Sequence, residues 1–265
     1  MPRAGAPAQR RMLTTAVLRT RRLSPSFIRV TVGGPELADF DYQGLDQCIR
    51  LFFPRPGQAA LRMPTAANNG WVAQFYLTPS SARPHVRNYT VRAFRREPFE
   101  LDVDFVVHGD GPAASWAARA VAGDPVGIFD EGTMYRRRTD ADWQLVVADE
   151  SAVPAALSIA EQSPHELRTL LYLEVPHDDD VLETELGDAV TVRWLPRGEN
   201  EGIPGRLALD VVARAELPTG RPSVFVAGES GLATGLRRYL VTERAVAKAD
   251  VTFYGYWRHG RASIG

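Results

Sequence analysis

Arg87-Asn-Tyr-Thr-Val-Arg92 is the stretch of the chain from which its fold can first be argued. It lies in a segment, Val86 to Phe94, whose residue types suit a β-strand. On a strand, Arg87 and Tyr89 share one face and Thr90 takes the other, although a twist can bring the hydroxyl round to a ligand. A guanidinium can hold a pyrophosphate, an aromatic ring can cover an isoalloxazine face, and a hydroxyl can hydrogen-bond a ring nitrogen. The trio therefore predicts a bound flavin dinucleotide, FAD.

His108-Gly-Asp-Gly-Pro-Ala-Ala-Ser-Trp116 is the second informative motif. Its glycines and proline end a strand predicted over Phe99 to Val107, and a short helix is predicted over Ala113 to Ala122. The unpaired amides at the start of a helix form an anion site. Each motif alone is more often ordinary structure, either a solvated strand face with a core ring or a helix start. Their order and closeness favour one flavin site.

The composition excludes several classes of protein. The 265 residues are 45% hydrophobic and 24% charged with a formal net charge of −1, which is ordinary for a globular protein and supplies no basic field for nucleic acid. Cys48 is the only cysteine, so thiolate iron–sulfur and structural zinc sites are excluded, and any iron that the protein handles would be its substrate. No apolar run approaches the roughly 18 to 20 residues that span a bilayer, and no signal peptide opens the chain. We therefore expect a cytoplasmic protein without a membrane partner.

The rhythm of predicted elements changes along the chain. Up to Asp130, short strands separated by turns predict an antiparallel β-barrel or sandwich. The strands predicted there are Leu13 to Leu18, Phe27 to Val32, Ile49 to Phe53, Gln74 to Leu77, Val86 to Phe94, Phe99 to Val107 and Val126 to Phe129. After the polar stretch Arg136 to Asp142, apolar strands alternate with helices, which predicts a parallel sheet covered on both faces. The helices predicted there are Val153 to Gln162, Leu207 to Arg214 and Leu232 to Val246.

The carboxyl ends of the parallel strands are the expected place for a second ligand, because open parallel sheets bind ligands where the strand order reverses. Those ends are Ala148-Asp-Glu-Ser151, Glu174-Val-Pro-His177, Ala227-Gly-Glu-Ser-Gly231 and Tyr254-Gly-Tyr-Trp257. The family resemblance described below implies that this ligand is a nicotinamide nucleotide, although Gly-x-Gly-x-x-Gly is absent from the chain. The residues predicted to contact it are Asp149, Glu150, Ser151, Glu174, Gly228 and Glu229. A helix cap made by Ser151, with two acids favouring the helix dipole, is the alternative for the first three.

Glu174 bears on the choice between NADH and NADPH. An acid at the end of the second strand can accept the ribose 2′-OH of NADH and would repel the extra phosphate of NADPH. The sequence therefore leans slightly towards NADH. Arg237 and Arg238, on the last predicted helix, are the counter-candidates for a 2′-phosphate.

At this point the chain resembles the siderophore-interacting proteins, which are FAD-dependent ferric-siderophore reductases of the ferredoxin-reductase superfamily. The strings that carry the resemblance are Arg87-x-Tyr-Thr-x-Arg92, Asp102-x-Asp-Phe-Val-x-His-Gly-x-Gly-Pro-Ala-x-x-Trp116, Gly123-Asp124, Ala148-Asp-Glu-Ser-Ala-Val-Pro-Ala155, Val226-Ala-Gly-Glu229 and Gly255-Tyr-Trp-Arg-His-Gly260. The resemblance implies a two-domain, ferredoxin-reductase-like fold. We expect an FAD-binding antiparallel β-barrel domain over residues 1–135 and an NAD(P)H-binding α/β parallel-sheet domain over residues 136–265.

The resemblance also assigns roles to the first two motifs. The implied FAD contacts are Arg87, Tyr89, Thr90, Arg92, His108, Gly111, Ala113, Ala114, Ser115 and Trp116. Three of them keep an alternative: Arg92 can pair with an acid on the next strand, His108 can be structural, and Trp116 can be core packing.

On the substrate side, the resemblance implies basic residues that dock a ferric siderophore. Arg50 and Arg258 occupy two such positions. A third, an arginine in a Gly-Pro-Arg-Gly turn of many family members, is replaced here by Asp130 and Glu131. This exchange of a cation for two acids argues against strongly anionic catecholate complexes and favours neutral or hydroxamate ones. The arginines at positions 136 to 138 either compensate or line the linker.

The sequence therefore predicts an NAD(P)H-dependent ferric-siderophore reductase that passes single electrons from FAD to Fe(III) and releases Fe(II). No residue is expected to act on the substrate as an acid, base or nucleophile. The alternatives are a general flavin or diaphorase-type reductase serving another acceptor or a partner protein, and a flavin-free siderophore-binding protein. Ferredoxin is an alternative electron donor, and we expect a monomer.

Overall fold

The computed structural model describes residues 4–7, 9–58, 60–107, 111–198 and 202–261. The chain divides between Met134 and Tyr135 into two compact units, the N-terminal unit and the C-terminal unit.

The N-terminal unit is built on one curled antiparallel sheet. Its seven strands are β1 (Met12–Arg22), β2 (Phe27–Gly33), β3 (Cys48–Phe53), β4 (His85–Thr90), β5 (Ala93–Arg96), β6 (Phe99–Val106) and β7 (Pro125–Gly132). They are ordered β4-β3-β7-β1-β2-β6-β5. Helix α1 (Trp71–Leu77) follows β3, and helix α2 (Pro112–Ala117) follows β6.

Strand β6 shows how the sequence pattern produces this sheet. Leu101, Val103 and Phe105 alternate along the strand and belong to the apolar core of the unit. The intervening side chains are acids and are also buried: Glu100, Asp102 and Asp104. Arginines from three other strands cover them, with Arg19 of β1 on Glu100, Arg29 of β2 on Asp104 and Arg95 of β5 on both Glu100 and Asp102. The two faces of β6 are therefore buried by different chemistry.

The C-terminal unit contains a five-stranded parallel sheet. Its elements are β8 (Trp143–Ala148), α3 (Val153–Glu161), β9 (Arg168–Val175), β10 (Val190–Pro196), α4 (Arg206–Arg214), β11 (Pro222–Glu229), α5 (Ser230–Thr242) and β12 (Val251–Trp257). The strand order is β10-β9-β8-β11-β12, so the order reverses between β8 and β11. Helices α4 and α5 share a core with Leu145, Val147 and Val226, whereas α3 contacts β8 and β9. The predicted antiparallel sheet followed by a parallel α/β sheet is confirmed.

Three predicted elements differ in the structure. The strand predicted over Gln74 to Leu77 is wrong, because this apolar run belongs to α1, where Trp71 and Phe75 lie one turn apart and both pack on Phe52. The strand predicted over Val86 to Phe94 is two strands, since the amides of residues 91 and 92 donate to Gln47 and Asp102 in the break.

Helix α2 is also shorter than the predicted Ala113 to Ala122. It ends at Ala117, and a turn follows in which the Asp124 carboxylate accepts from the amide of Val121 at 3.0 Å. Gly123 then takes a φ of +94°, a conformation that favours glycine.

None of the helices in the described part of the chain has the length and apolar character needed to cross a bilayer.

Candidate functional site

Strand β4 presents Arg87 and Tyr89 from an edge of the curled sheet. Arg87 is half-buried, and its Nη1 donates to the carbonyl of Val86 at 2.7 Å. Among the described residues, no carboxylate lies within ion-pair distance of Arg87, whereas Arg50 and Arg95 both have one. A partly desolvated guanidinium without a counter-charge is costly, so this position suits an anionic ligand.

A run of aromatic contacts places helix α2 beside β4. Tyr89 packs on Phe105 with ring centroids 4.2 Å apart, and Phe105 packs on Trp116 at 5.6 Å. Trp116 also contacts Phe53 at 5.0 Å and is 7% exposed. The structure thus gives Trp116 a core-packing position, which was the alternative left open, and brings the start of α2 and Tyr89 to the same region. Burial raises the pKa of the Tyr89 hydroxyl, so the ring stays neutral at physiological pH.

The start of α2 is exposed at Gly111 and Pro112, and among the described residues no acceptor pairs with its first amides; we call this the open start of α2. The amide of Ser115 donates to the carbonyl of Gly111, whereas Ala113 and Ala114 lie in the first turn, where a helix supplies no acceptor for an amide. Gly111 has a φ of −59°, and a Cβ built there would meet no atom within 4 Å. The fold therefore sets no requirement for glycine at this position, whereas close approach by a phosphate would.

Three other predicted flavin residues lie in different settings. Thr90 is buried, on the opposite face of β4 from Arg87 and Tyr89. Arg92 Nε lies 3.8 Å from the carboxylate of Asp104, as the alternative of an acid on the next strand anticipated. His108 lies outside the described residues. The N-terminal unit still offers an arginine without an acidic partner among the described residues, a neutral aromatic ring and an open helix start, and these features fit a flavin dinucleotide.

Asp149 lies where the strand order of the C-terminal unit reverses, directly after β8. Its carboxylate is completely buried and accepts four hydrogen bonds within the protein. Oδ1 accepts from the amide of Ser151 at 2.9 Å and from its hydroxyl at 2.6 Å. Oδ2 accepts from the amide of Glu229 at 2.5 Å and from the indole Nε1 of Trp257 at 3.1 Å. Burial and the charge of Glu150 together raise the pKa of Asp149 to about 7.

Gly228 and Glu229 are the last two residues of β11, which pairs with β8. Gly228 has a φ of +135°, and a Cβ there would lie 2.4 Å from the Asp149 carboxyl carbon, so only glycine fits. Glu229 is 5% exposed, and its carboxylate accepts from the amides of Gly231, in the first turn of α5, and His259. Both residues therefore shape this edge of the sheet through contacts inside the protein.

Glu150 and Glu174 are joined through Arg197. The Arg197 guanidinium donates to both oxygens of Glu150, at 2.7 and 2.8 Å, and to Glu174 Oε1 at 2.9 Å. Glu174 is fully buried and also accepts from the amides of Gly205 and Ala208 at the start of α4. Its oxygens are therefore committed to the helix and to Arg197. The idea that Glu174 selects NADH through the ribose hydroxyl loses its basis.

The two basic residues expected on the substrate side differ in charge environment. Arg258 follows β12 and is exposed. Arg50 is half-buried, and its Nε lies 3.1 Å from Glu131 Oε1, while Arg10 lies 3.8 Å from the other oxygen. The Arg50 guanidinium also lies 5.8 Å from the Trp71 ring centroid. Much of the positive charge of Arg50 is therefore compensated within the N-terminal unit.

Asp130 and the arginines after the barrel have structural partners. The Asp130 carboxylate accepts from Gln47 Nε2 at 3.0 Å and from the amide of Gly132 at 2.8 Å, and burial raises its pKa. Arg137 donates to Gln144 and to two carbonyls of the C-terminal unit, and Arg138 pairs with Asp140. Arg137 and Arg138 therefore line the linker side of the C-terminal unit.

The combination of a curled antiparallel sheet and a parallel α/β sheet places the chain in the class of proteins with the ferredoxin-reductase-like fold. The fold is shared with the ferredoxin reductase of carbazole 1,9a-dioxygenase at a TM-score of 0.68, with 13% identity over 94% of this chain and 70% of that one.

The chain belongs to the siderophore-interacting protein family. Residues 16–134 match the model of the siderophore-interacting FAD-binding domain, and residues 141–260 match the model named siderophore-interacting protein. It is 31% identical to ferric vibriobactin reductase ViuB of Vibrio cholerae over 92% of this chain and 88% of that protein. It is 29% identical to the NADPH-dependent ferric-chelate reductase of Escherichia coli over 86% of each. A siderophore utilization protein from T. fusca superposes with a TM-score of 0.82 and 30% identity, covering 97% of this chain and 96% of that one.

Sequence reasoning missed two residues that bind the acids after β8. Arg197 is separated by 47 residues from Glu150, and Trp257 by 108 residues from Asp149. Neither distance leaves a local pattern, so only the folded sheet shows the contacts. Trp257 belongs to one of the sequence strings that carry the family resemblance. Nothing in the sequence, however, indicates that its indole contacts Asp149.

Proposed function

We propose that the chain is an NAD(P)H-dependent ferric-siderophore reductase that uses FAD to release iron as Fe(II). The single observation that carries the proposal is the pairing of Arg87, which lacks an acidic partner among the described residues, with Tyr89 beside the open start of α2. The family match of residues 16–134 to an FAD-binding domain supports it. The names of the relatives in Vibrio cholerae and Escherichia coli give the acceptor class, a ferric chelate.

The N-terminal unit is proposed to hold FAD. Arg87 and the first amides of α2 bind its phosphates, and Tyr89 covers one face of the ring. Gly111 lets the phosphates approach the backbone closely. When bound, FAD accepts two electrons from a nicotinamide and gives them up one at a time, as Fe(III) requires.

The C-terminal unit is proposed to bind the nicotinamide nucleotide at the carboxyl ends of β8 and β11. Ser151 and the backbone near Gly228 are the groups that we propose contact it, while Asp149, Glu150, Glu174 and Glu229 shape the edge from within. Because Glu174 is buried, nothing in its position repels a 2′-phosphate. We therefore propose NADPH as a donor at least as good as NADH, in keeping with the name of the Escherichia coli relative.

Arg258 and Arg50 are proposed to dock the ferric chelate. The partial compensation of Arg50 by Glu131 favours a chelate of low net charge, such as a ferric trihydroxamate, over a trianionic catecholate. No side chain need transfer a proton to the chelate, because reduction lowers the charge of the iron and weakens its bonds to hard oxygen ligands. We propose a monomer working in the cytoplasm, where nicotinamide nucleotides are supplied, with ferredoxin as an alternative donor.

Purified protein supplied with NADPH and a panel of acceptors under anaerobic conditions tests the proposal. The panel is a neutral ferric trihydroxamate, an anionic ferric tricatecholate and an artificial dye, with a ferrous-specific trap. We expect yellow, flavin-containing protein and trapped Fe(II) from the trihydroxamate. Reduction of the dye alone would identify a general flavin reductase, and a colourless protein that binds the chelate without turnover would identify a flavin-free binding protein.

A further inference from the structure

We propose that Asp149 is a positioning residue that holds Trp257, and through it Arg258, and that uptake of a proton by Asp149 loosens this hold. Trp257 and Arg258 begin the terminal segment, defined as Trp257 to Arg261. The role of Arg258 rests on the proposed function, whereas the contact between Asp149 and Trp257 does not.

The terminal segment is held by contacts from three residues: Asp149 after β8, Glu229 at the end of β11 and Ser230 at the start of α5. The indole Nε1 of Trp257 donates to Asp149 Oδ2 at 3.1 Å, and the carbonyl of Trp257 accepts from the Ser230 hydroxyl at 2.8 Å. The amide of His259 donates to Glu229 Oε1 at 3.1 Å. Arg258 lies between these two anchored residues and has an exposed side chain. Its backbone position is therefore set by acceptors at the carboxyl ends of β8 and β11.

Asp149 links these anchors. The same Oδ2 that accepts from Trp257 also accepts from the amide of Glu229, the residue whose carboxylate holds His259. Asp149 is completely buried, so it acts on any bound ligand through other residues. Gly228 leaves the space that the carboxylate fills.

The hydrogen bonds to Asp149 favour its charged form. All four donors face the carboxylate, two from Ser151 and one each from Glu229 and Trp257. A proton on either oxygen turns one acceptor position into a donor and leaves a poorer acceptor for the indole. Burial and the adjacent charge of Glu150 oppose the charged form and raise the pKa of Asp149 to about 7.

The other carboxylates near Asp149 have hydrogen-bond partners within the C-terminal unit. Glu150 is held by Arg197, which also binds Glu174. Glu229 accepts from two amides, and the His259 ring lies 6.4 Å from the Trp257 ring between centroids. Because the His259 ring lies beside the Trp257 ring, His259 is replaced by glutamine in a control variant.

Indole nitrogen–proton resonances of flavin-loaded protein labelled at tryptophan provide the test. The chain has five tryptophans, and Trp257→Phe identifies the resonance of interest. We expect this resonance to shift with pH, with a midpoint near neutrality, while the other four stay fixed. The shift should vanish in Asp149→Asn and persist in His259→Gln. A resonance that does not move, or one that titrates unchanged in Asp149→Asn, would overturn the proposal.

Kinetics test the link to Arg258. In the wild type, the KM for a ferric trihydroxamate should rise several-fold as the pH is lowered from 8 to 6. In Trp257→Phe it should be raised several-fold at both pH values, whereas the matched control Trp194→Phe on β10 should behave as wild type. An unchanged KM in Trp257→Phe would refute the positioning role. If Asp149→Asn does not fold, the Trp257→Phe variant decides the question. Absence of all ferric-chelate reduction would refute the proposed function and the role of Arg258, and the indole titration would still decide the Asp149–Trp257 contact.

Discussion

Arg87 differs from its neighbours Arg50, Arg92 and Arg95 in having no carboxylate partner among the described residues. Within the N-terminal unit, the other three guanidinium groups each lie within ion-pair distance of a carboxylate. The fourth stands on an edge strand beside Tyr89 and the open start of α2. Its charge is thus available to a ligand.

Arg87→Gln should weaken FAD binding with little change in fold. Loss of a charge-assisted contact to phosphate costs about 2 kcal/mol, which is roughly a 30-fold rise in Kd. Titration of the flavin-stripped protein with FAD, followed by flavin fluorescence, measures it. Arg21→Gln, which removes an exposed arginine from β1, is the control and should bind as wild type. Equal Kd values for the two variants would exclude Arg87 from the flavin site.

Glu131→Gln should change acceptor preference. Removing one negative charge beside Arg50 changes the interaction with a trianionic chelate by about 1 kcal/mol at a separation of roughly 10 Å in water. We expect kcat/KM for a ferric tricatecholate, relative to a neutral trihydroxamate, to rise roughly fivefold. Asp39→Asn breaks an exposed pair with Arg11 in the same unit and is the control. A ratio that moves equally in both variants would show only a general charge effect.

Among the elements, β6 shows both what sequence can predict and what it cannot. The strand predicted over Phe99 to Val107 is confirmed, and its alternate apolar residues lie in the core. Acids are mostly exposed in proteins, yet Glu100, Asp102 and Asp104, which alternate with the apolar residues, are buried beneath arginines. Alternation gives the period of a strand but not what covers it, because those arginines come from three other strands.

Glu100 makes the stability of this sheet depend on pH. Hydrogen bonds from Arg19 and Arg95 lower the pKa of Glu100 to about 2. Since the pKa is lower in the folded state than the ordinary 4.5, the pair contributes stability above about pH 4.5, and this contribution is lost as pH falls towards 2.

Glu100→Gln should therefore lower the free energy of unfolding by about 1 kcal/mol at pH 7. The difference from wild type should shrink as the pH falls to about 3, measured by urea unfolding followed through the N-terminal unit. A difference that stays constant across this range would mean that the charge of Glu100 is not responsible.

Two features of the elements could not be predicted from the sequence: the helical conformation of α1 and the contacts of Arg197 with Glu150 and Glu174. The four residues Gln74 to Leu77 fit a strand or a helix equally well, and packing of Trp71 and Phe75 on Phe52 decides for the helix. Glu174 stands correctly at a strand end, but its partners are Arg197 and the start of α4. Position on the sheet was predictable, whereas the use of the side chain depended on residues distant in sequence.

At the scale of the whole molecule, the predicted residues fall into two groups, one in each unit. Arg87, Tyr89 and the start of α2 belong to the N-terminal unit, and Asp149 with its partners belongs to the C-terminal unit. Motifs and periodicity were sufficient for this division, since the change from short strands to alternating strands and helices is a property of the sequence. Whether Glu174 is free to meet a ribose hydroxyl, and how far Glu131 offsets the charge of Arg50, were not predictable in this way, because both depend on partners distant in sequence.

Reoxidation of reduced, flavin-loaded protein by a ferric chelate tests the proposed electron path most directly. The protein is reduced anaerobically with one equivalent of NADPH and mixed with excess ferric trihydroxamate and a ferrous trap. We predict that the absorbance of oxidised flavin returns as Fe(II) appears, with two ferrous ions for each flavin, because a two-electron donor is serving a one-electron acceptor. Flavin that remains reduced while the chelate stays ferric would contradict the account.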